Sequence, residues 1–69
     1  MIAMSGHVAT LPEAYRMRAE LRVWLGYFRC RGRDTRLPFH ERYGANVMAE
    51  QAAESLGDCE ELIRRLRRG

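Results

Sequence analysis

The side chains able to do covalent chemistry in this sequence are few and scattered. Ser5, Ser55, Cys30 and Cys59 are nucleophile types, and His7 and His40 are the two histidines. A working nucleophile needs a base within hydrogen-bond reach and a third group that orients the base. None of the four stands in a recognisable arrangement with either histidine. His40-Glu41, near the start of a helix, lacks the second histidine that a zinc-protease helix carries one turn later. Glu60 and Glu61 are adjacent and point about 100° apart on a helix, so they are not a ready acid and base pair. His7, Cys30, His40 and Cys59 show none of the close pairing that zinc sites use, and phosphate-binding glycine loops are absent. The sequence predicts no enzyme, no cofactor and no metal.

Arginine is the more informative residue type. The chain has 69 residues, twelve of them basic against nine acidic, for a net charge of +3. All twelve are arginine, so every positive group is a planar, permanently charged fork. A GC-rich genome alone gives the same composition. The distribution says more: residues 1–37 carry +4, residues 38–61 carry −5 and the last eight carry +4. Part of the positive charge can therefore be neutralised by the chain's own acidic segment. Two clusters stand out. Arg29, Arg31, Arg33 and Arg36 follow Trp24, Tyr27 and Phe28, and Arg64, Arg65, Arg67 and Arg68 close the chain. Arginines beside tyrosine and tryptophan are over-represented at protein interface hot spots. Stacking of Tyr27 or Phe28 on an unpaired RNA base is an alternative, and so is a plainly solvated loop.

The elements that must position these residues are helical. Thr10, Pro12 and Glu13 form a capping box with a proline in the first turn. From there Ala14, Met17, Leu21, Trp24 and Phe28 recur at spacings of three and four, with Leu25 widening the stripe. This predicts a helix from about Leu11 to Arg31, stopped by Gly32. Residues 32–38 form a polar connector of the length that joins antiparallel helices. Asp34 or Thr35 is available to cap a second helix that places Phe39, Tyr43 and Val47, then Ala49, Ala52, Ala53 and Leu56, along one side. Gly44 interrupts it, as a kink or as a break before Asn46. The small residues Ala45, Ala49, Ala52 and Ala53 let another helix approach closely. Leu56-Gly57-Asp58 predicts a stop and restart, with a short third helix striped by Cys59, Leu62, Ile63 and Leu66.

Ala53, Gly57, Ile63 and Leu66 also meet the offsets of a known module. Over about Met48 to Arg68 the chain resembles the helix-turn-helix of bacterial repressors and activators. In that module a small residue lets two helices cross, a glycine four residues later makes the turn, and two apolar residues seat the recognition helix. The resemblance implies a DNA-binding regulator whose recognition helix is Cys59–Arg68, with Arg64, Arg65, Arg67 and Arg68 on the nucleic acid. Two departures weigh against it. Asp58 stands where the module carries an apolar residue, and Glu60 and Glu61 occupy the end that would face base edges.

The expectation is a single all-α domain over residues 10–69, a helical hairpin with a short third C-terminal helix, after a flexible segment of residues 1–9. A core this small rarely supplies more than about 3–5 kcal/mol without a staple. Two cysteines make a poor disulfide framework. Met1 to Met4 lack a basic flank, the apolar stretch ends at Ser5-Gly6, and no run approaches the ~20 residues that span a bilayer. These features predict a cytoplasmic protein, no membrane, and a homodimer. The functional expectation is a small regulatory or inhibitory module that binds another protein with an acidic surface. Trp24, Tyr27 and Phe28 serve as anchors, and Arg29, Arg31 and Arg33 supply charge complementarity. Small regulatory proteins of bacteria and phages share this general profile of size and composition. The alternative is the DNA-binding regulator.

Overall fold

The structure, a computed structural model, describes residues 10–69. The expected flexible segment, residues 1–9, lies outside the described residues. Two helices, α1 (Leu11–Arg33) and α2 (Phe39–Arg68), make up almost all of it. They run antiparallel. Leu11 and Ala14, at the start of α1, pack with Cys59, Ile63 and Leu66 near the end of α2, while Leu25 and Phe28 pack with Ala49 and Ala52. The molecule is an all-α hairpin.

The start of α1 is the capping box read from the sequence. The Thr10 hydroxyl accepts from the Glu13 amide at 3.4 Å, and the Glu13 carboxylate accepts from the Thr10 amide at 3.1 Å. The helix does not stop at Gly32. It continues to Arg33, and Asp34 in extended backbone ends it. Gly32 serves close approach instead: a Cβ there would stand 2.7 Å from Asn46 Cγ of α2. A methyl at that point would have to displace the Asn46 amide.

Neither Asp34 nor Thr35 caps the second helix. The Asp34 carboxylate turns to Arg36, accepting from its backbone amide and its Nε at 3.0 Å and from Nη2 at 3.1 Å. A carboxylate held by the connector's own amide and guanidinium cannot reach forward to α2. Pro38 is the N-cap, without a side-chain hydrogen bond, and its carbonyl accepts from the Glu41 and Arg42 amides at 3.0 and 3.1 Å. Arg42 Nε donates back to the Leu37 carbonyl at 3.2 Å, tying α2 to the connector.

The expected third helix is not a separate element. α2 runs unbroken for 30 residues through both Gly44 and Gly57, and among the described residues no glycine adopts positive φ. A turn at Gly57 would need that left-handed conformation or an equivalent break. The cause of the continuity lies in the partner helix. Leu56, Cys59, Ile63 and Leu66 extend the stripe of Ala45, Ala49 and Ala52 without a change of phase, so staying helical keeps all of them on α1. That packing outweighs a glycine penalty of about 1 kcal/mol. The same observation removes the geometry of a helix-turn-helix over Met48–Arg68, which needs two helices and a turn.

The buried seam also differs from the expected stripes. On α1 the buried residues are Ala14 and Leu25, while Met17 and Trp24 are 44% and 53% exposed. On α2 Phe39 and Tyr43, expected on the packed side, are 71% and 62% exposed, and the seam is made by the alanines. Alanines at successive seam positions draw the two backbones together, and a bulky side chain between them would hold the axes apart. Size is complementary along the seam. Leu25 and Phe28 face Ala49 and Ala52 near the bend, and at the other end Ala14 faces Cys59 and Ile63. The Cys59 thiol donates to the Ala14 carbonyl at 3.3 Å across the seam.

Candidate functional site

Trp24 and Phe28 are four residues apart on α1, so their rings meet on one face. They stack at 5.7 Å with 23° between planes, and Tyr27 packs edge-on to both, at 5.9 Å from Trp24 and 5.2 Å from Phe28. The seam rotation just described puts Leu25 inside and leaves this aromatic group along its edge. α2 supplies the other wall. Leu21, Trp24, Phe28, Met48, Gln51, Ala52 and Ser55 line an open, mainly apolar groove of about 400 Å³. It continues at one end past Met17 and Leu62 and at the other past Gly44 to Arg31, His40 and Glu41. The middle of this flank is apolar, and its two ends carry charge, Asp58 at one and Arg31, His40 and Glu41 at the other.

Met48 is the part of this face that the sequence reading missed. It is 43% exposed, and it sits in an acidic segment where the alanines gave the stronger signal. The spacing Gly44, Met48, Gln51, Ser55 repeats by four, three and four, one position out of phase with the buried seam. That second phase was the available clue.

The six residues expected to bind a partner do not form one patch. Trp24, Tyr27 and Phe28 gather on the apolar flank, and Arg31 joins them at its end. Arg31 pairs with Glu41 at 3.2 Å and holds its guanidinium 5.9 Å from the Tyr27 ring centre. Arg29 and Arg33 lie on the opposite flank, where they line a polar depression with Asn46, Ala49, Glu50 and Ala53. Residues 29, 31 and 33 alternate sides because two helical steps rotate by about 200°. Arg22 is on that opposite flank too, 3.3 Å from Glu60. Arg18 shares its spacing and rests 5.1 Å from the Tyr15 ring centre. The hairpin thus has an apolar flank and an arginine flank.

The second cluster is remote from the first. Arg64 and Arg65 pair with Glu61, at 2.6 and 3.5 Å, and Arg64, Arg67 and Arg68 line a shallow depression at the far end of α2. Their hydrogen bond and charge hold the Glu61 carboxyl below its ordinary pKa, Arg64 being the main cause. In the same way Arg36 lowers the pKa of Asp34 and has its own raised. All of these ion pairs face solvent, where water and salt screen them.

Ser5 and His7 lie outside the described residues. Cys59 is buried and Cys30 exposed, both as free thiols, and Ser55 lines the groove. Among the described residues no three His, Cys, Asp or Glu side chains gather as metal ligands, and no helix is long and apolar enough to cross a membrane.

Comparison with known proteins returns no counterpart: no family model matches the chain, and no curated protein or solved structure does.

Proposed function

We propose that this chain is a small protein-binding module, regulatory or inhibitory in character and without catalysis, that acts through the apolar flank of its hairpin. The observation that carries this reading is the stacked Trp24–Phe28 pair, with Tyr27 against it, standing half-exposed over a groove whose other wall is Met48. Rigid aromatic side chains bury large areas at low entropic cost, and tryptophan and tyrosine dominate interface hot spots. The arginine flank gives the module charge complementarity toward a protein with an acidic surface. Arg31 stands at the rim of the aromatic face, and Arg29 and Arg33 meet an acidic surface only on a partner that reaches the opposite flank. The reading includes self-association and a place in the cytoplasm, where an exposed thiol such as Cys30 stays reduced.

Trp24→Ala is the direct test. It removes the largest side chain of the face without touching the buried seam, so helix content in circular dichroism should be retained while partner binding weakens by about thirtyfold or more, the scale of a hot spot. Unchanged binding in Trp24→Ala would refute the reading. The DNA-binding alternative retains the charge of Arg64, Arg65, Arg67 and Arg68 and, with α2 continuous through Gly57, no separate recognition helix. It requires binding that falls steeply with salt and is lost in an Arg64→Ala, Arg65→Ala double variant.

A further inference from the structure

The groove between α1 and α2 offers an occupant a small apolar centre inside a one-sided field of charge. Its exposed apolar area comes from Met17, Trp24 and Met48, since Leu21 and Phe28 are already committed to the seam. Glu13 precedes Met17 by four residues, and Glu20 follows it by three and precedes Trp24 by four, so both share that side of α1. Asp58 lines the same face from α2, beside Met17 and Leu62. Among the described residues none of these three carboxylates has an arginine within 4 Å. Arg31, at the bend end, is paired with Glu41, and Arg64 and Arg65, past Leu62, are paired with Glu61. A chain of net charge +3 thus presents its aromatic face with unanswered negative charge. Building on the protein-binding reading of this flank, we propose that the groove takes an amphipathic helix of another protein, one whose apolar stripe is bordered by lysine or arginine.

Shape selects a helix. The backbone of α1 and α2 is paired within each helix, so an extended peptide finds no sheet edge to join. A helix laid along the hairpin packs its ridge into the groove and supplies the second layer that two helices lack. From Met17 to Phe28 α1 rises about 17 Å at 1.5 Å per residue, three turns, which is room for apolar anchors at i, i+3 or i+4, and i+7. Those anchors meet Trp24 and Met48, and methionine adapts to anchors of different shape. Gln51 and Ser55, exposed on the α2 wall, are left to hydrogen-bond the polar side of the docked helix. Charge selects the sign. Basic side chains bordering the anchors answer Glu20 and Asp58, whereas an acidic helix brings carboxylate against carboxylate. A second copy of the chain would likewise set these same acids against themselves. Arg22, Arg29 and Arg33, on the opposite flank, take no part.

The test titrates the full chain with two synthetic peptides of about five helical turns. Both carry the same leucine stripe at helical spacing, and the remaining positions are lysine in one and glutamate in the other. Trp24 is the chain's single tryptophan and neither peptide contains any, so its emission reports on the groove. The lysine peptide should bind and shift that emission to the blue. The glutamate peptide should leave it unmoved, although net charge alone favours the acidic peptide. In the Glu20→Gln, Asp58→Asn double variant the lysine peptide should bind about tenfold or more weakly. Both side chains are exposed, so helix content in circular dichroism should be unchanged. An Arg29→Gln, Arg33→Gln double variant should bind the lysine peptide no more weakly than the native chain. The basic helix is overturned if the glutamate peptide is the one that moves Trp24, if neither does, or if the lysine peptide binds the Glu20, Asp58 variant as tightly as the native chain. It is also overturned if, without peptide, Trp24 is blue-shifted at a mass twice the 8.0 kDa of one chain and moves red on dilution, which assigns the groove to a second copy. The wider protein-binding reading has its own measurement, the binding of a native partner by Trp24→Ala, and it stands or falls there whichever peptide binds.

Discussion

Trp24 and Leu25 are neighbours in sequence with opposite fates, and the difference is one of size against space. The seam between α1 and α2 is lined by alanines, so it admits Leu25 at 9% exposure while Trp24 stays outside at 53%. The indole is then left half-exposed on the flank. Cys59 has the complementary history: a small, weakly polar side chain that fits beneath Ala14 and satisfies its thiol on that residue's carbonyl. At the bend, Asp34 shows how a short connector is fixed by a single side chain. Its carboxylate accepts from the Arg36 guanidinium and amide, and those bonds lower its pKa. A depressed folded-state pKa means that the contribution is present above the ordinary aspartate range and is lost as pH falls through the lowered value. In a carboxyl NMR titration Asp34 should therefore titrate below an ordinary aspartate, and Arg36→Ala should return it toward the ordinary value. An Asp34 that titrates normally in the native chain would rule out the clamp.

At the level of elements, α1 was legible because its signals are local. A capping box and a threefold-fourfold apolar repeat act within a few residues, and replacing such a cap typically costs about 1 kcal/mol. Its end was misplaced because Gly32 reads as a stop and is instead a point of contact with Asn46. α2 was harder. Gly44 and Gly57 both look like breaks, and each lies within a helix whose apolar phase continues past it. Neither has any neighbour within 4 Å of where a Cβ would stand. Gly57→Ala should therefore stabilise the chain by about 0.5–1 kcal/mol, because alanine fits the helical backbone and loses less entropy on folding. The measurement is a urea denaturation midpoint. A destabilised Gly57→Ala would instead mark a turn at that position, as the helix-turn-helix resemblance implies.

For the molecule as a whole, the controlling fact is the closeness of the two helices. Small residues on one side of the seam meet larger ones on the other, and the buried apolar residues among those described lie along that line. Enlarging one of the alanines separates the helices. Ala49→Leu, opposite Leu25, should cost about 1–3 kcal/mol through overpacking despite its greater hydrophobicity, read as a lower melting midpoint at fixed protein concentration. An unaffected midpoint would mean that the seam is looser than described. The same closeness divides the surface. It turns Trp24, Phe28 and Met48 to one flank and Arg22, Arg29 and Arg33 to the other. The runs of arginine in the sequence are thus not units of the surface. One is split between flanks, and the other lies farther along α2: Arg29 and Arg33 sit beside Glu50, and Arg64 follows Glu50 by fourteen residues, about 21 Å at 1.5 Å per residue.

Helical class, the hairpin with a connector read at residues 32–38, the capping box, and the closely packing Ala45, Ala49 and Ala52 followed from sequence alone. These depend on propensity, capping chemistry and periodicity, which act over one or two turns. The phase of the seam, the continuity of α2 through Gly57 and the division of the candidate residues between two flanks were decided by tertiary structure. Each turns on a contact between residues far apart in the chain: Leu25 with Ala49, Ala14 with Cys59, Gly32 with Asn46. A helix's own periodicity permits several neighbouring faces to be buried. Only the size of the side chains on the opposing helix determines which of them can be.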